Sequence, residues 1–156
     1  MKVSDLQIWL NKKGVNPQLK VDGKGGPATR NAIYQVFKCT NAKVVTEEEL
    51  LQFAKQLGDT NTKRIKAIGK VETNGSAWSP DGTPKILYER HYFYKHVKKT
   101  IYLPGYSDHF LSNPKWGGYT QDFNKNNIND SFEKLAFAAC INPIGAFSSK
   151  IGRAHV

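Results

Sequence analysis

Cysteine is scarce: Cys39 and Cys140 are the only two in 156 residues. They are too few for a disulfide framework and lack metal-ligand spacing, so both read as buried free thiols. Long apolar runs are also missing. No stretch approaches the ~20 residues that a membrane-spanning helix needs, and Met1, Lys2, Val3, Ser4 and Asp5 lack the apolar core of a signal peptide. Synthesis in a cytoplasm without a signal peptide is therefore expected. No Lys-Ser or Lys-Thr pair follows the glycines at 23, 25 and 26, where Pro27 and Ala28 stand instead, and no strand–GxGxxG–helix unit occurs. A nucleotide-phosphate cradle needs one or the other, so no cofactor is expected.

Acidic residues are few, 13 against 23 basic ones, for a formal charge of +10. Residues 1–60 hold nine Lys and Arg against six Asp and Glu, and residues 61–156 fourteen against seven, so the excess is spread rather than blocked. Such a field favours any polyanion, whether nucleic acid, anionic lipid or an acidic cell wall. With no recognition helix or RNP-type motif, nucleic acid is not the expected partner. With 39% apolar and 23% charged residues, the chain reads as an ordinary globular protein.

Residues 3–13 place Val3, Leu6 and Leu10, with Trp9 beside them, near helical spacing; a basic last turn and Gly14 end the helix. Residues 18–21 read as a short strand. Asp22 and Gly23 then signal a turn, and Pro27 suits the first turn of a helix over about 27–37 with Ala32, Ile33, Val36 and Phe37 as its apolar face. Residues 38–46 form a polar linker. Thr46 and Glu49 fit a capping box before Leu50, Phe53, Ala54 and Leu57, which fall on one face closed by Gly58.

A helix from about Thr62 carries Ile65, Ile68 and Glu72 on one stripe. Two roles are open to Glu72. Apolar neighbours and the negative end of the helix dipole both favour its protonated form, as a general acid for glycoside cleavage requires. Alternatively it is a solvated acid paired with Arg64 or Lys70, or a cap on the loop at 73–75. Ser79, Pro80, Asp81 and Gly82 then signal a turn before a β-like run at 85–88. Residues 89–96 pack charge and rings together; Glu89 and Arg90 suit a buried ion pair, and the aromatics suit either core or sugar stacking. His91 and His96, five apart, do not share a helix face as a zinc pair would, so no metal is expected.

Two resemblances organise these signals. Leu6, Gln7, Leu10, Gly14, Val21, Asp22, Gly23, Gly26, Thr29, Ala32 and Ile33 follow the pattern of the peptidoglycan-binding domain of wall hydrolases. That resemblance implies a glycan groove with Asp22, Gly23, Thr29 and Arg30 as candidates, though Asp22 and Gly23 also suit pure turn chemistry. Val71, Glu72, Thr73 and Gly75, then residues 81–91 (DGTPKILYERH) with Phe93, and later Pro114, Gly117, Gly118 and Tyr119, resemble the phage-type N-acetylmuramidase domain over residues 46–149. The resemblance implies a lysozyme-like fold, Glu72 as the catalytic acid, and substrate contacts from Trp78, Tyr88, Glu89, Arg90, His91 and Tyr119. A glycosidase usually wants a second carboxylate, and Asp81 and Asp122 are the local candidates.

The expected architecture is mainly α: a helical peptidoglycan-binding module at 1–38, a linker at 39–45, and a lysozyme-like α+β domain with a short hairpin at 46–149. After Ser149 the chain leaves the family pattern. The codons AAG ATC GGA AGA GCA CAC GTC would encode residues 150–156, and from ATC onward they resemble a short-read sequencing adapter. A non-native tail and a domain lacking its C-terminal part are therefore expected. Peptidoglycan is the expected partner and a monomer the expected state. The function implied is wall lysis by an endolysin acting on the cell wall; a non-catalytic wall-binding protein or an inactive fragment of such an enzyme is the alternative.

Overall fold

One side chain, Gln7, organises the N-terminal unit. The structure is a computed structural model describing residues 1–39, 41, 45–73, 77–118 and 122–151; the side chains of 71–73, 150 and 151 lie outside the described set. Helix α1, Val3–Lys12, buries Leu6, Gln7 and Leu10. The Gln7 carboxamide, 2% exposed, accepts from the N–H groups of Asp22 (3.2 Å) and Gly23 (2.9 Å). It donates towards Asp22 Oδ1, the Lys24 carbonyl (both 3.1 Å) and Thr29 Oγ1 (3.3 Å). A buried amide is stable only when its donors and acceptor are used, and here they fix the turn that leads into α2, Pro27–Phe37.

The strand expected at 18–21 does not form. Asn11 takes both backbone groups of Leu19, accepting from its N–H at 2.8 Å and donating to its carbonyl at 2.9 Å. A side chain thus supplies what a neighbouring strand would otherwise have to supply.

Helix α3, Glu47–Gln56, starts with the expected capping box, Glu49 N–H on Thr46 Oγ1 and Thr46 N–H on Glu49. Helix α4, Lys63–Thr73, is tied to it through Glu47, which accepts from Thr62 and pairs with Lys66, both at 2.6 Å. Of the face Leu50, Phe53, Ala54 and Leu57, only Ala54 is buried; Phe53 and Leu57 stay exposed.

The turn at 79–83 closes as a small hairpin, with Trp78 bridging Pro84 and Lys85 N–H on the Ala77 carbonyl. Strand β1, Leu87–Tyr88, leads directly into α5, Arg90–Val97. Strands β2, Ile101–Tyr102, and β3, Phe110–Ser112, pair antiparallel in a second hairpin that no sequence signal marked. Two- and three-residue strands are too short to display a period. Helix α6, Ser131–Ala139, is followed by α7, Pro143–Ser148, whose N-cap Asn142 accepts from Gly145 N–H. Strand β4, Lys150–Ile151, pairs antiparallel with β1, so two residues of the expected tail sit in the sheet, Tyr88 opposite Lys150. The described residues contain no helix long and apolar enough to cross a membrane.

Residues 1–38 share a core with the C-terminal helices. Leu6, Leu10 and Ile33 belong to the same buried cluster as Tyr88, Phe93, Phe132 and Ala146. Tyr34 meets Phe132 edge-on at 5.2 Å, and Phe37 lies 6.1 Å from Phe132 and 6.3 Å from Phe147. At this junction a Cβ on Gly25 would collide with the Cys140 backbone, whereas one on Gly26 meets nothing. Gly25→Ala is therefore expected to cost roughly 1–3 kcal/mol and several degrees of Tm. Gly26→Ser, at the N-cap of α2, should be near neutral. Thermal unfolding of the two variants checks the contrast.

Candidate functional site

Glu72 lies in the last turn of α4. Its side chain, like Tyr119, falls outside the described residues. The remaining expected site residues separate into three places.

The first is the entry to α5. Tyr88 is buried and its hydroxyl donates to the Leu111 carbonyl at 2.7 Å; burial alone holds its phenol well above the usual range. Tyr88 is therefore a core residue rather than a substrate contact. Glu89 and His91 are each 5% exposed. Glu89 Oε2 and both ring nitrogens of His91 are buried with no hydrogen-bond partner among the described residues. Buried polar groups are nearly always paired, so these three unpartnered atoms at the entry to α5 are unusual.

Arg90 does not form the expected ion pair with Glu89. Its Nε donates to the Lys115 carbonyl (3.1 Å) and its Nη2 to the Trp116 carbonyl (3.0 Å), with the guanidinium over Phe110 at 5.4 Å. The planar guanidinium fork thus spans two carbonyls of one loop. Trp78 is half-buried in the small hairpin.

The second place holds the acids. Asp81 Oδ1 accepts from the N–H (3.0 Å) and hydroxyl (2.7 Å) of Thr83. Asp122 accepts from the N–H groups of Asn126 (3.1 Å) and Asn127 (2.7 Å). Both candidate second carboxylates are thus engaged in shaping their own loops. Sequence reasoning missed Asp130 and Glu133, whose carboxyls burial pushes up; Asn124 donates to both. With Asp81 they line a cleft of about 30 Å³, room for water but not for a sugar ring.

The third is a groove of about 480 Å³ on the N-terminal unit, lined among others by Gln7, Leu19, Asp22, Lys24, Thr29 and Asn31. Its size falls within the range of ligand sites. Asp22 is held below the usual carboxylate range by the Lys24 N–H and then by Gln7. Thr29 is buried against Gln7. Gly23, at φ +72°, serves the turn, and it does not line the groove. Arg30 does not line it either; its guanidinium stacks on Phe137 of α6 at 4.1 Å. The expected wall-binding set therefore divides, Asp22 and Thr29 at the groove, Gly23 and Arg30 in the framework.

A family model described as N-acetylmuramidase matches residues 61–154. No curated protein matches the chain. Among solved structures the chain is similar to the crystal structure of the Burkholderia AP3 phage endolysin, at 26% identity and a TM-score of 0.50. The likeness covers 95% of this chain and 61% of that one, so the chain spans about three-fifths of the endolysin's length.

The loop carrying Trp116 has a second clamp. Lys134, 3% exposed, donates to the Gly118 carbonyl at 3.4 Å. Burial pushes its ammonium down from 10.5 to about 8, with Asp130 working against that shift. A lysine depressed in the folded state binds fewer protons there than in the unfolded chain between these two values, so stability rises with pH across that window. The stability of the parent relative to Lys134→Met should accordingly increase from pH 8 towards 10.5, as read by urea unfolding. Parallel curves would contradict it.

Proposed function

The chain belongs to the N-acetylmuramidase family, and from that premise we propose that it is a wall-lytic enzyme of the endolysin kind. Its reaction is hydrolysis of the glycosidic bond between N-acetylmuramic acid and N-acetylglucosamine in peptidoglycan. The observation that carries this reading is the family match over residues 61–154, a span that contains both the acid of α4 and the open polar set at the start of α5.

Glu72 is the general acid. At the end of α4 the helix dipole opposes a carboxylate, and Ile65 and Ile68 on the same stripe are half-buried. Its proton passes to the glycosidic oxygen of N-acetylglucosamine as the bond to the muramic acid anomeric carbon breaks. Water then adds to the oxocarbenium-like carbon, and its proton goes to a base. The turn duties of Asp81 and Asp122 mean that amide replacement at either would loosen its loop as well as test it as the second carboxylate.

The groove on residues 1–38 holds the wall, and the net charge of +10 draws the protein to an acidic surface. The protein is made in the host cytoplasm and works as a monomer.

Clearing of purified peptidoglycan tests the acid. A placed general acid contributes ~10²–10⁴-fold, so Glu72→Gln should lose at least about a hundredfold in rate while still sedimenting with the wall; lysis at the parent rate would overturn the assignment. For the groove, Asn31→Trp places a bulky ring on an exposed lining position. Sedimentation with peptidoglycan should fall several-fold with Tm unchanged, and undiminished binding would show that the groove is not the wall-binding surface.

A further inference from the structure

Trp116 occupies a free position of the matched family pattern, between Pro114 and the paired glycines, and nothing in the sequence singled it out. It is 71% exposed, the most of any large apolar side chain among the described residues. A single exposed ring means little by itself. What sets this one apart is how it is held.

Arg90 grips the carbonyls of Lys115 and Trp116 from α5. Lys134 reaches the Gly118 carbonyl from α6. Asn113 accepts from Lys115 N–H at 2.8 Å. Gly117 and Gly118, at φ +100° and +75°, let the chain fold back in a conformation that L side chains avoid. Two cations and a turn therefore fix a loop whose most prominent side chain is left in solvent.

Beneath the indole lies His91, with ring centroids 4.3 Å apart and planes at 19°. That imidazole is more than nine-tenths buried, and neither of its nitrogens has a partner among the described residues. One face of Trp116 is thus backed by the imidazole, and its exposed area lies on the rest of the ring.

We propose that Trp116 is a stacking platform for an N-acetylhexosamine of the glycan strand, its loop held by the Arg90 and Lys134 clamps and its covered face backed by the His91 ring. The proposal rests on the muramidase reading and adds a specificity residue to it. In a β-1,4-linked N-acetylhexosamine the ring substituents are equatorial, so both ring faces present axial C–H groups. These carry slight positive charge and lie favourably on the negative face of an indole.

The test uses the full chain in a Glu72→Gln background, so that nothing is hydrolysed, and a β-1,4-linked N-acetylglucosamine hexasaccharide as probe. Calorimetry should find Trp116→Ala roughly three- to tenfold weaker than the parent, the range expected for one aromatic contact. Trp116→Phe should bind within about twofold of the parent, yet lose the shift in indole emission that the sugar causes. Melting temperatures should agree across all three. Parent-like binding by Trp116→Ala, no rescue by phenylalanine, or no binding of the hexasaccharide by the parent would each overturn the proposal. If the platform fails while Glu72→Gln still abolishes wall lysis, the muramidase reading stands; if the unsubstituted chain lyses no wall, that reading falls separately.

Discussion

The burial of α6 is the constraint on which the rest depends. Seven of its nine residues, from Ser131 to Ala139, are buried, and a helix covered on nearly every side must be wrapped by other elements. It packs against α2, α7, β1 and β3. Its alanines at 136, 138 and 139 let neighbours approach closely, and Phe132 reaches Tyr34 and Phe37 of α2. Phe137 receives the Arg30 guanidinium. The groove-bearing unit and the strand leading to Glu89 are thereby referred to one rod.

Two cations extend that frame to the surface. Arg90 and Lys134 both donate to backbone carbonyls of the 115–118 loop. Burial disfavours the charged form of Lys134, and its depressed proton affinity reflects that cost. The result is a loop tied to both α5 and α6.

Much of this was legible in local sequence signals. Asp22 with Gly23 announced the first turn, Thr46 and Glu49 the cap of α3, and Asp81 with Gly82 the small hairpin. Each is a contact between residues close in the chain or a turn with few conformational solutions. Features set by distant partners were not legible. Residues 18–21 resembled a strand, but the side chain of Asn11 takes both backbone groups of Leu19. Arg30 looked like a groove residue because the ring that claims it, Phe137, lies far along the chain. Tyr88 and Arg90 fell in a strong motif, yet Leu111 and the 115–116 carbonyls claim them. The β2–β3 hairpin and α7 were too short to show a period, and Trp116 stood where the pattern prescribes nothing.

The central claim, cleavage on the reducing side of N-acetylmuramic acid, is tested most directly by the sugar left at the new chain end. Purified peptidoglycan is digested with the protein, reduced with borohydride, hydrolysed and analysed by mass spectrometry. Reduced ends should accumulate as muramicitol. Glucosaminitol in its place, or no new reducing ends while the wall dissolves, would contradict the claim.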